Sequence, residues 1–193
     1  GAFAEQEPSA NPLLHVLIPW PSLDQAVTVS DQLLADAAHR KAGAAYLNAA
    51  AKNPPYLRIE SSLLAAFASM PKLEVPKQAA GNKSRRLQLR TYESHNEPAG
   101  KKKIEMFNGS EIGIFRRVGL TPVFFGETII GARRPNLTYL LVFDDLAAHD
   151  KAWATFRADP EWLKLKAIPE YADARIVSKI SKSLLVPLAG SQI

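Results

Sequence analysis

Cysteine is absent from the 193 residues. That excludes disulfides, thiolate zinc sites, iron–sulfur clusters and cysteine nucleophiles together, and it leaves the redox compartment open, since a chain without thiols suits any. Long apolar runs are also missing: none approaches the ~20 residues that span a bilayer, so no transmembrane segment is expected. The four histidines, His15, His39, His95 and His149, include no HxH or HxxxH pair. Zinc therefore has no support, and no metal or other cofactor is expected. GxxxxGK, GxGxxG, GxSxG and HExxH do not occur, which removes phosphate-loop, dinucleotide, serine-hydrolase and zincin readings. The opening residues Gly1 to Glu5 carry no methionine and no signal-peptide pattern, which reads as a processed or shortened chain.

What is present is globular. With 47% hydrophobic, 22% charged and 8% aromatic residues, the chain has the composition of one ordinary domain or two small ones. The net charge of +5 comes from 24 basic against 19 acidic residues, a thin excess. Basic clusters occur at Lys83, Arg85 and Arg86, at Lys101 to Lys103, and in the pairs Arg116–Arg117 and Arg133–Arg134. They are not interleaved with aromatics and belong to no recognisable nucleic-acid module, so they read as solvated surface and no nucleic-acid partner is expected.

Self-similarity organises the chain. Asn11 to Leu23 aligns with Pro135 to Leu146 at an offset of about 122 residues, each an apolar run ending in a turn that opens a helix. Leu34-Ala35-Asp36 then falls on Arg157-Ala158-Asp159, and Ile59 to Leu64 on Ile180 to Leu185. The second copy reads completely. Leu87 to Glu93 alternates as a strand. A helix follows Gly100, with Ile104, Phe107, Ile114, Phe115 and Val118 at helical spacing, and Gly119 ends it. Val123 to Ile130 and Leu137 to Phe143 form a hairpin. Asp144 and Asp145 cap a second helix, Asp159-Pro160-Glu161 restarts it, and Arg175 to Val186 is a last strand. This β-α-β-β-α-β order is ferredoxin-like, an antiparallel sheet with two helices on one face. The first copy holds only the later part. The expected fold class is thus α+β, with two tandem ferredoxin-like units of which the first lacks its opening strand and helix. The expected segments are 1–68, a linker at 69–86, and 87–188.

Leu89-Arg90-Thr91-Tyr92-Glu93, Gly100-Lys101, Gly126, Asp144-Asp145-Leu146 and Ala158-Asp159-Pro160-Glu161-Trp162 together resemble the NIPSNAP family, over roughly residues 87 to 188. Residues 1–68 resemble a degenerate half of the same kind, so the chain looks like the tandem bacterial form. The resemblance implies a dimeric α/β-barrel type, in which two ferredoxin-like sheets face each other between chains or within a tandem chain. It implies no settled chemistry. The family is described mainly through interactions, while the wider barrel group includes cofactor-free monooxygenases, haem-degrading enzymes and small isomerases. A homo-oligomer is expected, and resemblance to the tandem bacterial form points to export to the periplasm, with a cytoplasmic location as the alternative.

The sheet face away from the helices is where sites of that group are expected. If Leu87 and Leu89 meet the helices, Gln88, Arg90 and Tyr92 point into the barrel. There Arg90 and Tyr92 either bind a carboxylate or enolate oxygen, or form a structural pair sealing the interface. Phe125 and Tyr139 join them as ligand-binding candidates. Glu111 sits in the apolar stripe of the first helix, where desolvation makes it a candidate acid or base, unless a salt bridge to Arg90 or a helix arginine, or an edge position, satisfies it. His95 follows the same strand end and is either a base or haem ligand, or a surface loop residue. The reading is a family member of uncharacterised activity that binds a small apolar ligand or a protein partner. The alternative is a cofactor-independent monooxygenase or isomerase using Arg90 and Tyr92 with Glu111 or His95, with haem binding a weaker third. A cavity between the sheets favours the enzymatic readings, and a solid leucine-filled interface opposes them.

Overall fold

The computed structural model describes residues 1–193, apart from the side chains of residues 81 and 82. That part of the expected 69–86 linker lies outside the described residues. The chain divides into two compact units, residues 1–17 with 62–193, and residues 18–61.

The smaller unit is helical. Ser22 and Asp36 each accept a bond from a first-turn amide, Gln25 at 3.4 Å and His39 at 2.6 Å, and so start α1 (Leu23–Ala35) and α2 (Ala37–Ala42). A short α3 (Ala44–Leu47) follows. None of the three buries a side chain.

In the larger unit, β1 (Ala2–Glu5), β2 (Leu14–Val16) and β3 (Leu63–Ala66) are short. The long strands are β4 (Arg86–Glu93), β5 (Thr121–Ile130), β6 (Asn136–Phe143) and β7 (Lys179–Pro187). All seven form one curled antiparallel sheet in the order β2-β1-β7-β4-β6-β5-β3. Between β4 and β5 run α4 (Glu97–Met106), a π-helical turn (Phe107–Glu111) and α5 (Ile112–Val118). Gly119 ends α5 at φ 89°, a left-handed conformation that glycine adopts without strain. Between β6 and β7 come α6 (Leu146–Ala158), α7 (Pro160–Lys166) and α8 (Asp173–Ile176). Asp145 caps α6 through Ala148 N–H at 2.8 Å, and Asp159 caps α7 through Glu161 and Trp162. From β4 onward the order is β-α-β-β-α-β, as the sequence pattern leads one to expect. The first helix nevertheless begins at Glu97 rather than after Gly100, because Asn96 accepts from Ala99 N–H at 2.9 Å. The last strand begins at Lys179 rather than Arg175, since Asp173 to Ile176 turn into α8.

Both faces of the sheet are covered. On the helix face, Phe107, Phe115, Trp153 and Phe156 pack on Tyr92, Phe125, Leu137, Tyr139 and Leu141. On the other, Leu87, Val123, Leu140, Val142 and Leu185 join Phe3 and Ile193. The placement expected for β4 is therefore reversed: the leucines lie away from the helices, and Gln88, Arg90 and Tyr92 lie beneath them. Two basic residues expected at the surface are buried. Lys103 is 1% exposed and Arg85 3%, the latter donating to Ile193 O at 2.9 Å.

β3 is seated by a close approach. A Cβ on Gly126 would lie 2.9 Å from Leu64 Cβ and 3.4 Å from Ala65 O. Gly126→Val is expected to detach β3 and cost about 1–3 kcal/mol. Faster amide exchange at Ala65 and Phe67, whose N–H groups face β5, with a lowered melting temperature would show this, and unchanged exchange would refute it.

Candidate functional site

A cavity of about 470 Å³ lies on the helix side of the sheet. Its floor is Gln88, Arg90 and Tyr92 of β4 with Ile180 and Lys182 of β7, and its walls come from α4, the π turn, α6 and α7. On the opposite face Leu87, Val123, Leu140, Val142 and Leu185 are each at most 1% exposed.

Arg90 lies flat on an aromatic wall, its guanidinium carbon 4.5 Å from the Trp153 ring centre and 5.4 Å from that of Tyr92. Its Nη2 donates to Tyr92 Oη at 2.9 Å, while Nε has no partner. No carboxylate pairs with it among the described residues. Tyr139 Oη donates in turn to Tyr92 Oη at 3.4 Å, and burial pushes its own phenol well above the ordinary value. Trp153 Nε1 donates to Gln88 Oε1 at 2.8 Å, which fixes the ring on which Arg90 rests.

Beside this group is a buried ion pair. Lys103 Nζ lies 3.2 Å from Glu111 Oε2, and Glu111 is 2% exposed. Burial raises the Glu111 carboxyl above its usual value, and Lys103 opposes the rise. The ammonium also faces aromatic rings, 4.9 Å from Phe107, 5.4 Å from Tyr92 and 5.8 Å from Trp162, and Asp173 Oδ1 at 3.8 Å. The π turn places the carboxylate: Ile112 N–H donates to Phe107 C=O, five residues back, so one extra residue is carried in the helix just before Glu111.

Three of the expected site residues, Arg90, Tyr92 and Glu111, meet at this cavity. Phe125 and Tyr139 do not line it. Their rings stack at 4.7 Å within the core, at 1% and 0% exposure. His95 is exposed in the loop before α4. The histidine that does reach the cavity is His149, whose Nδ1 lies 2.8 Å from Asp150 and whose Nε2 is buried without a partner. Its sequence context, a lone histidine in an amphipathic helix, offers no signal for this. Lys103 stands four residues before Phe107, in the spacing that continues to Glu111 and Phe115, and all four are buried, but as the last of three consecutive lysines it reads as surface. The set can stack a flat apolar body on Trp153, meet an oxygen with the Arg90 guanidinium, and exchange a proton at Glu111. Among the described residues no cluster has the composition of a metal site, and no helix is long and apolar enough to cross a membrane.

The NIPSNAP family model matches residues 87–192. Among solved structures, an uncharacterised NIPSNAP-like domain protein from Burkholderia xenovorans is 20% identical, with a TM-score of 0.50 over 56% of this chain and 90% of its own. A NIPSNAP family protein of unknown function from Agrobacterium tumefaciens gives 20% identity and 0.50 over 56% and 93%. A candidate monooxygenase from Fusobacterium nucleatum is 9% identical, with a TM-score of 0.51 over 96% of this chain and 73% of its own. At these identities the likeness is one of fold. No curated protein matches the chain.

Proposed function

Since the chain belongs to the NIPSNAP family, we propose that residues 86–187 form a ligand-binding unit whose occupant has a small, flat apolar body and one anionic or carbonyl oxygen. The observation that carries this reading is the state of Arg90. Its guanidinium is stacked on Trp153, borders the cavity, and makes one hydrogen bond among the described residues, to Tyr92. A charged donor group held this way is prepared for an acceptor that the protein itself does not supply. Lys182 and Arg157 at the rim add positive charge, while Trp153, Phe156 and Trp162 supply apolar surface.

Naphthalene-2-carboxylate has the stated chemistry. Titration should quench tryptophan emission and give one site per chain by calorimetry. Arg90→Met is expected to weaken binding roughly tenfold to a hundredfold, the worth of a hydrogen bond to a charged group. Equal affinity in the variant, or no binding to the parent chain, would overturn the assignment.

A second reading rests on one observation, the raised carboxyl of Glu111 at the wall of the same cavity, which lies on the helix face and not between two sheets as that reading expected. In it Arg90 and Tyr92 hold a developing oxyanion while Glu111 moves a proton, as a cofactor-independent oxygenase or isomerase requires. His95 lies outside the cavity, so the proton-moving part falls to Glu111. Loss of turnover of an enolisable ketone in Glu111→Gln, with binding of the naphthoate retained, would separate this reading from simple binding.

A further inference from the structure

Two cations face the ring of Tyr92. The Arg90 guanidinium carbon and the Lys103 ammonium each lie 5.4 Å from its centre, so twice that distance is the most that can separate them. We propose that Lys103 is a nucleophile, whose amine forms an imine with the aldehyde or ketone group of an oxo acid while Arg90 holds the carboxylate of the same molecule. This rests on the reading of the cavity as a site for a flat apolar body with an acceptor oxygen, and it names the chemical class of that occupant.

The surroundings of Lys103 suit a reactive amine. Lys103 borders the cavity and is 1% exposed. The rings of Phe107 at 4.9 Å, Tyr92 at 5.4 Å and Trp162 at 5.8 Å enclose its nitrogen, and Arg90 faces the same Tyr92 ring. An apolar pocket and a neighbouring cation are two means by which proteins activate a lysine toward carbonyl groups.

A proton acceptor is also in place. Among the described residues Glu111 Oε2, at 3.2 Å, is the one oxygen within hydrogen-bond reach of Nζ, since Asp173 Oδ1 stands off at 3.8 Å. Met106 Sδ at 3.4 Å is a weak acceptor. Glu111 is 2% exposed, and burial raises its carboxyl above the usual value. One proton passed across the 3.2 Å contact turns the ion pair into a free amine and a carboxylic acid, with no outside base.

The step balances within these groups. Nζ adds to the carbonyl carbon, Glu111 protonates the oxygen and then takes a proton from the nitrogen, which gives a carbinolamine. Glu111 passes that proton to the hydroxyl, water leaves, and the nitrogen lone pair closes the C=N bond. The product is a protonated imine beside a carboxylate, with the same charges as the original ion pair. Exclusion of bulk water from the buried nitrogen favours the dehydration.

The probe is 6-formylnaphthalene-2-carboxylate, added to the full chain near neutral pH with cyanoborohydride, which reduces an imine to a stable amine. Mass spectrometry should show one adduct per chain. Fragmentation should map it to Lys103 and not to Lys101 or Lys102, whose side chains are 65% and 35% exposed. Excess naphthalene-2-carboxylate, which carries no aldehyde, should suppress the adduct. Lys103→Met combined with Glu111→Leu buries no charge, and it should bind the naphthoate and form no adduct. In a chain that binds the naphthoate, absence of an adduct, labelling confined to exposed lysines, or an adduct retained by the double variant would each overturn the proposal and leave the binding site standing. A chain that fails to bind the naphthoate overturns the binding reading and this proposal with it.

Discussion

Lys103→Met is expected to destabilise the protein by about 3–5 kcal/mol at pH 8, because it leaves the Glu111 carboxylate buried without its partner. The loss should depend on pH. Burial already holds the Glu111 carboxyl above its ordinary value, and removing the ammonium removes the influence that opposes the shift. A carboxyl whose folded value is raised contributes stability that is complete below the unfolded value and is lost as pH rises through the folded one. Urea titrations of the variant should therefore show a smaller deficit near pH 4 than at pH 8. The double variant Lys103→Met with Glu111→Leu should recover much of the loss, since it buries no charge at all. A pH-independent deficit, or strict additivity in the double variant, would show that the two groups are not coupled.

Phe115→Ala should cost a similar amount, about 3–5 kcal/mol, for a different reason. Phe115 is fully buried, and its ring meets five others: Phe107 at 5.9 Å, Phe125 at 6.1 Å, Tyr139 at 5.9 Å, Trp153 at 5.8 Å and Phe156 at 4.9 Å. Those rings come from the π turn, β5, β6 and α6, so the truncation opens a cavity where both helices meet the sheet. Surrounding aromatic rings are stiff and collapse poorly into such a space. Leu57→Ala, at a side chain 75% exposed, should change stability by no more than about 0.5 kcal/mol. Denaturant midpoints of the two variants would show the contrast, and a Phe115→Ala midpoint close to the parent's would contradict the packing argument.

The parts of this fold that local chemistry decides were legible in the sequence. Asp145 and Asp159 cap their helices, Gly119 ends α5, and the β5–β6 hairpin lies where its apolar alternation puts it. Which way β4 faces was not legible. Alternation tells a buried face from an exposed one, but β4 is covered on both sides, and its polar residues lie under helices whose aromatic rings carry partners for them. Hence Arg90 and Tyr92, singled out as a pair, lie on the face opposite to the one expected. The ion pair was half visible: Glu111 stands out in an apolar stripe, whereas Lys103 is masked by the two exposed or half-exposed lysines before it. His149 reaches the cavity through tertiary packing alone, and nothing in its neighbours announces this.

The π turn has a consequence for how this chain tolerates changes in length. One residue more than the α-helical repeat shifts the angular phase of α4 against α5 by about 100°. Lys103 of α4 and Glu111 of the turn then reach the same cavity wall, while Phe115 of α5 stays in the core. Gly109 lies within the turn with open space around it, so a bulkier side chain fits easily at that position. A one-residue deletion there does not fit. It would restore a regular helix and rotate Lys103 and Met106 away from the packing that α5 keeps. At this point the chain can accept a change of residue far more readily than a change of count.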